Sequence, residues 1–187
     1  MTNSLPHGTS HKQNETPRLI AISGKQYAGK DTLAALLKKR CHNAVISPIA
    51  AAIKTLYAQR HGISLQTIEA NKAHHRAGLV RLGSWGRSKS EDFWLQQALQ
   101  PFHEGQTVII PDLRLASEYN SLQAIGAYFI RIEAPREHRQ ARGHLVGEDD
   151  PTETELDGGN WHWDAMIIND SDKDHLNHQL QQHVPWF

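Results

Sequence analysis

Two periodicities alternate along this chain. Short, mostly apolar runs at Leu19 to Ser23, Ala44 to Ile46, Thr107 to Asp112, Tyr128 to Ile132 and Ala165 to Ile168 have the length and β-branched content of strands. Between them the apolar residues recur at helical spacing: Leu33, Leu36 and Leu37; Ile49, Ile53, Leu56 and Tyr57 after a Ser47-Pro48 start; then Leu176 and Leu180 in a closing segment. Further helices are expected over a basic region that runs to about Arg87, from Asp92 to Phe102, around Ala116 to Ile125, and in an arginine-rich stretch after Ile132. Strands alternating with helices predict an α/β fold, a parallel sheet covered by helices on both faces in three layers. No internal repeat interrupts the order.

The first strand runs directly into Gly24-Lys25-Gln26-Tyr27-Ala28-Gly29-Lys30-Asp31-Thr32, and a helix begins near Gly29. This is the setting of a phosphate-binding loop. Glycines let the backbone wrap a polyphosphate with N–H groups inward, the helix N-terminus adds partial positive charge, and Lys30 can reach the outer phosphates. ATP is therefore the expected cofactor. The usual Ser or Thr after the lysine is replaced by Asp31, whose carboxylate can ligate magnesium directly or through water, so Mg2+ is expected too.

At 187 residues and 39% hydrophobic content the chain is long enough for one domain with a sizeable core. The division expected is a disordered tail over residues 1–17, a single phosphate-loop domain over 18–187, an acceptor-binding helical region at about 48–90 and a lid at about 134–157. One cysteine, Cys41, leaves no intrachain disulfide and suits a reducing compartment. The first 17 residues lack the apolar core of a signal peptide and no apolar run has membrane-spanning length, so a cytoplasmic protein with no membrane partner is expected. The 13 histidines show no metal-ligand spacing.

Net charge is zero, but the zero conceals a division. Residues 17–90 hold 13 Lys and Arg against only Asp31 and Glu69, whereas residues 91–187 hold 6 against 17 acids. Such asymmetry points to anionic ligands on the basic half. Lys72, Arg76, Arg81 and Arg87 are the candidates for binding the acceptor, the first two four residues apart on one helix face; a solvated basic face is the alternative.

Asp112 stands at the C-terminal end of a buried strand, placed to hold magnesium or its waters, or alternatively to cap the turn into the next helix. Arg114 is expected to reach the acceptor or the transferred group, unless it pairs with Glu118 four residues on. Arg136, Arg139 and Arg142 recur every three residues, and an acidic, glycine-containing loop, Gly143 to Asp157, follows them. An arginine-bearing lid over the phosphate loop, with Arg139 and Arg142 catalytic, is the functional reading; a solvated helix paired with Glu133 and Glu137 is the plain one.

Several of these segments together resemble bacteriophage-type deoxynucleotide monophosphate kinases and their relatives. They are the Gly-Lys-Asp phosphate loop; Leu82-Gly83-Ser84-Trp85-Gly86-Arg87 with Asp92-Phe93-Trp94; Pro111-Asp112-Leu113-Arg114 with Glu118; Pro151-Thr152-Glu153-Thr154-Glu155-Leu156-Asp157; and Asp164 to Asp170. The group includes phage kinases that phosphorylate 5-hydroxymethyl-deoxyuridine within DNA. P-loop phosphomevalonate kinase is similar as well, in Tyr57 to Gly62, in the Lys72, Arg76, Arg81, Arg87 spacing and in Arg139 to Gly143, although Leu115 stands where that family carries a second arginine. The resemblance implies a nucleoside monophosphate kinase-like fold and γ-phosphoryl transfer from ATP. The acceptor it favours slightly is the modified base in phage DNA, which would place the protein in host cytoplasm; a free deoxynucleotide and phosphomevalonate are the alternatives. The excess of basic residues suits a DNA strand, but no DNA-binding motif is present, and Trp85 and Trp94 can either stack on a base or belong to the core. A nucleotide-binding regulatory module without turnover is the non-enzymatic alternative.

Overall fold

In the computed structural model, which describes residues 16–187 except 101 and 104, five strands form one all-parallel sheet in the order β2-β3-β1-β4-β5. They are β1 (Leu19–Ser23), β2 (Ala44–Ile46), β3 (Thr107–Leu113), β4 (Tyr128–Glu133) and β5 (Ala165–Ile168). The helices are α1 (Lys30–Arg40), α2 (Ile49–His61), α3 (Leu65–Ala70), α4 (Lys72–Arg87), α5 (Phe93–Leu99), α6 (Ala116–Ala124), α7 (Arg136–Arg142), α8 (Pro151–Thr154) and α9 (Lys173–His183). The α/β order read from the sequence holds. The helix expected from Asp92 to Phe102 is shorter, and β3 runs one residue past Asp112.

Side chains on a strand point alternately to the two faces, and that alternation builds two cores. Ile20, Ile22, Ile109, Ile130, Ile132 and Ile167 pack on Leu33 and Leu37 of α1 and Leu176 and Leu180 of α9. Ala21, Val108, Ile110 and Phe129 face the other way, toward Trp94 and Leu95 of α5 and Tyr119 and Leu122 of α6. Both faces of the sheet are thus covered, as a parallel sheet requires. Most of the tail expected over residues 1–17 lies outside the described residues. Pro17 belongs to the fold: it is buried, and its carbonyl accepts from the Thr107 hydroxyl at 3.2 Å.

The chain leaves β1 toward β2 on one side and reaches β4 on the other, so the order reverses around β1. A crevice opens beyond the carboxyl ends of strands at such a point, and ligands of open α/β sheets bind there. Residues 24–29, Asp112 and the segment after β4 all lie at that end. Among the described residues no helix is long and apolar enough to cross a membrane.

Candidate active site

The loop after β1 is held in a conformation that few residues tolerate. Gly24 has φ 153°, and a Cβ there would lie 2.3 Å from the Ile132 carbonyl oxygen, so the close approach of β1 and β4 demands glycine. Tyr27 takes the left-handed conformation at φ 59°. Such backbone strain persists only where surrounding bonds fix it. Here the Asn169 amide donates to the Ala28 carbonyl at 2.7 Å, and the Ala28 N–H donates to Lys25 at 3.2 Å.

Lys30, buried at the start of α1, donates to the carbonyls of Gly24 at 2.5 Å and Lys25 at 2.7 Å. Burial, aided by the Arg114 guanidinium and opposed by Glu153, Asp31 and Asp112, lowers its pKa to about 8. The ammonium is therefore desolvated and ready to exchange carbonyls for phosphate oxygens. The neighbouring Asp31 and Thr32 are exposed on the first turn of the helix.

Asp112 sits differently from the sequence expectation. Its two carboxylate oxygens accept from the N–H groups of Ile49 at 2.7 Å and Ala50 at 2.9 Å, capping α2 from 62 and 63 residues away. It is thus a helix cap, but of α2 and not of the next helix; burial raises its pKa while these two bonds oppose the rise. The N-terminus of α6 is instead served by Glu118, which accepts from Arg114 N–H and Leu115 N–H at 3.1 Å each. Arg114 therefore pairs with Glu118 only through its backbone. Its guanidinium turns to the Glu153 carboxylate and, at 3.1 Å, to the Thr152 carbonyl.

Burial lifts the Glu118 carboxyl to about 7, against the pull of its two backbone donors and of Arg87. Between about 4.5 and 7 the folded chain keeps a proton that the unfolded chain has released, so stability falls as pH rises through that window. Glu118→Gln preserves an acceptor for both N–H groups and removes the titration. Urea midpoints at pH 5 and pH 7.5 should show a wild-type advantage at the lower pH that shrinks in the variant; equal pH dependence in both would refute the assignment.

The arginine helix and the acidic loop prove to be one unit. Arg136 and Arg139 both bind Glu148, at 2.7 and 3.1 Å, in place of the Glu133 and Glu137 partners of the plain reading. Arg139 is buried and touches the Gln26 carbonyl at 3.5 Å; Arg142 donates to Tyr27 O at 3.3 Å and Asn169 O at 3.0 Å. Both arginines thus reach the phosphate loop through its carbonyl side.

The four acceptor candidates separate. Residues on a helix advance about 100° each, so Arg81 lies about 140° around α4 from Arg76. The fold honours that angle: Arg81 lines an outer groove of about 270 Å³ with Tyr57, Arg60, His61 and Trp85. Lys72 is 2.7 Å from Glu69, which also holds Lys54 at 2.5 Å. Arg76 helps lower the pKa of the Asp150 carboxyl and Arg87 opposes the rise at Glu118, and by helix geometry Lys72, Arg76 and Arg87 fall within about 60° of one another around α4, with Arg81 across the helix. Trp94 is core, 2% exposed, with its indole N–H on Gly83 O at 2.9 Å; Trp85 is partly exposed beneath the Arg60 guanidinium.

Residues that sequence reasoning passed over complete the site. Arg131, buried in β4, donates to Ser23 Oγ at 3.2 Å and pairs with Asp157 at 2.6 Å; Asp157 also holds Lys25 at 2.7 Å. Glu153, 8% exposed, accepts the Gln26 N–H at 2.9 Å. An arginine inside an apolar strand was the available signal for Arg131. Glu153 stood within the Pro151 to Asp157 motif, but nothing there singled it out from the neighbouring acids.

A strained loop at the carboxyl edge of a parallel sheet, with a desolvated lysine at its end and the α7 arginines on its carbonyls, is suited to holding phosphate. The model of the family described as phosphomevalonate kinase matches residues 22–127, more than half of the chain, from the end of β1 through α6. That stretch contains the phosphate loop, the basic helices and the Asp112–Arg114 strand end just described, and the chain is a kinase that belongs to the phosphomevalonate kinase family.

Proposed function

We propose that the chain transfers the γ-phosphoryl group of ATP to the phosphate of a small phosphomonoester, giving ADP and a diphosphate, with phosphomevalonate the first acceptor to test. The observation that carries this reading is the match to the phosphomevalonate kinase family over the segment that holds Lys30, Lys72, Arg76, Arg87 and Arg114, with Lys72, Arg76 and Arg87 on one face of α4 while Arg81 turns to the outer groove. A compact anion fits such a cluster better than a row of strand phosphates does.

In the transfer, the bond between the γ-phosphorus and the ADP oxygen breaks as an acceptor phosphate oxygen bonds to that phosphorus. An acceptor already ionised needs no general base. Lys30 and the loop N–H groups hold the polyphosphate, and Arg114 orients the acceptor. Arg139 and Arg142 fix the loop from the lid side. Among the described residues no three His, Cys, Asp or Glu side chains converge as a metal site. Magnesium would accordingly be carried largely by phosphate oxygens and water, with Asp31 an exposed carboxylate beside Lys30 and Asp112 engaged as a cap. Bound there, the ion would neutralise charge on the transferred group.

A second reading, a 5-hydroxymethyl pyrimidine within DNA, draws on one feature, the outer groove where Arg60 and Lys89 lie over Trp85 and Arg81 lines the wall. One assay separates the two. The protein is incubated with γ-labelled ATP and, in parallel, phosphomevalonate, free deoxynucleoside monophosphates and 5-hydroxymethyl-deoxyuridine DNA. Label on phosphomevalonate, with no inhibition by DNA at low salt, is expected; label on DNA alone would overturn the small-acceptor reading.

A further inference from the structure

The phosphate loop already carries an anion, supplied by the chain itself. Glu153 on α8 places one carboxylate oxygen on the Gln26 N–H at 2.9 Å and the other on the Arg114 guanidinium, and its charge acts on Lys30. A loop amide, an arginine and the loop lysine are the groups this site has to offer an outer phosphate. The carboxylate is held there from both sides. Upstream, Gln26 exchanges two hydrogen bonds with Val146, at 2.7 and 3.2 Å. Downstream, Glu155 accepts from Ala116 N–H at 2.8 Å and Asp157 pairs with Lys25 and Arg131.

An ion pair serving only the fold would need Arg114 and nothing more. The second oxygen instead takes a backbone donor of the loop, and the side chain is 4% exposed although its neighbours Thr152 and Glu155 are not buried. Two anions cannot share one amide and one guanidinium without strong repulsion, so a polyphosphate entering the loop must displace the carboxylate.

We infer that Glu153 is a positioning residue that occupies an outer-phosphate place in the resting kinase and competes with the nucleotide for it. The inference rests on the reading that this loop binds ATP. Competition lowers apparent nucleotide affinity by the fraction of molecules in which the place is free. It also keeps Arg114 from the acceptor until nucleotide arrives.

The test is calorimetric titration of the full chain with magnesium and the non-hydrolysable analogue AMP-PNP. Glu153→Gln keeps the side-chain volume and removes the charge. It should bind the analogue about tenfold more tightly, the scale set by lost charge-assisted hydrogen bonds, while melting at a lower temperature because Arg114 has lost its partner. A purely structural glutamate also gives a lower melting temperature, but with weaker binding, so the affinity is the readout that decides. If the glutamine variant does not fold, Glu153→Asp, which keeps the Arg114 pair but withdraws the carboxylate from Gln26, should tighten binding about threefold. Unchanged or weaker binding by a folded variant, beside a wild type that binds, overturns this inference alone. Failure of the wild type to bind the analogue overturns the ATP reading together with it.

Discussion

Replacing Lys30 by alanine should lower the rate of phosphoryl transfer by about 10² to 10³ and leave the protein folded. The ammonium is buried, relieved of most water, and tied to the carbonyls of Gly24 and Lys25. Those two contacts are with neutral acceptors, so the charge is underused in the resting state and meets its full partner only as negative charge builds on the outer phosphates. Interactions stronger in the transition state than in the ground state are the ones that raise the rate. The fold should survive because residue 30 is the first of α1, where alanine is an excellent helix former, and because removing the ammonium also removes its desolvation cost. Single-turnover transfer from labelled ATP, set beside a thermal melt, checks both halves. A folded variant that transfers within a few-fold of wild type would refute the assignment.

Gly86→Ala should destabilise the protein by about 2–3 kcal/mol, which for a chain of this length lowers the melting temperature by roughly 4–12 °C. In most exposed helix positions the same change stabilises, by up to about 1 kcal/mol. Here an alanine Cβ on α4 would lie 2.3 to 2.6 Å from three atoms of the Trp94 indole. That ring is 2% exposed, anchored by its N–H on Gly83 O, and edge-on to Phe93, so it has nowhere to move without opening the core between α4 and α5. The loss should extend to acceptor affinity, because α4 also carries Lys72, Arg76 and Arg87. A melting temperature equal to or above wild type would show that the indole can shift at little cost.

This contact explains why Leu82 to Arg87 and Asp92-Phe93-Trp94 go together in the sequence. The small residues of the first make room for the tryptophan of the second, and a patch that reads as a base-stacking candidate becomes core. Trp85, one residue before Gly86, lies on another side of the helix and stays partly exposed under Arg60.

By itself the sequence determined what depends on neighbours along the chain. Five apolar runs separated by helical periods fix the strands and helices, and their alternation requires a parallel sheet. Gly24 to Lys30 between a strand and a helix reads as a phosphate loop from the sequence alone, because wrapping a polyphosphate needs backbone freedom and a lysine at set spacing. Which carboxylate meets which cation was decided by tertiary structure alone. Asp112 caps a helix that begins 63 residues earlier, and Glu153 reaches a loop amide 127 residues away. Arg139 and Arg142 turn to loop carbonyls. In a chain with 20 acids and 20 Lys and Arg, local sequence offers each charge many partners of equal merit. Only packing, which buries some of these groups and makes an unpaired one costly, selects among them.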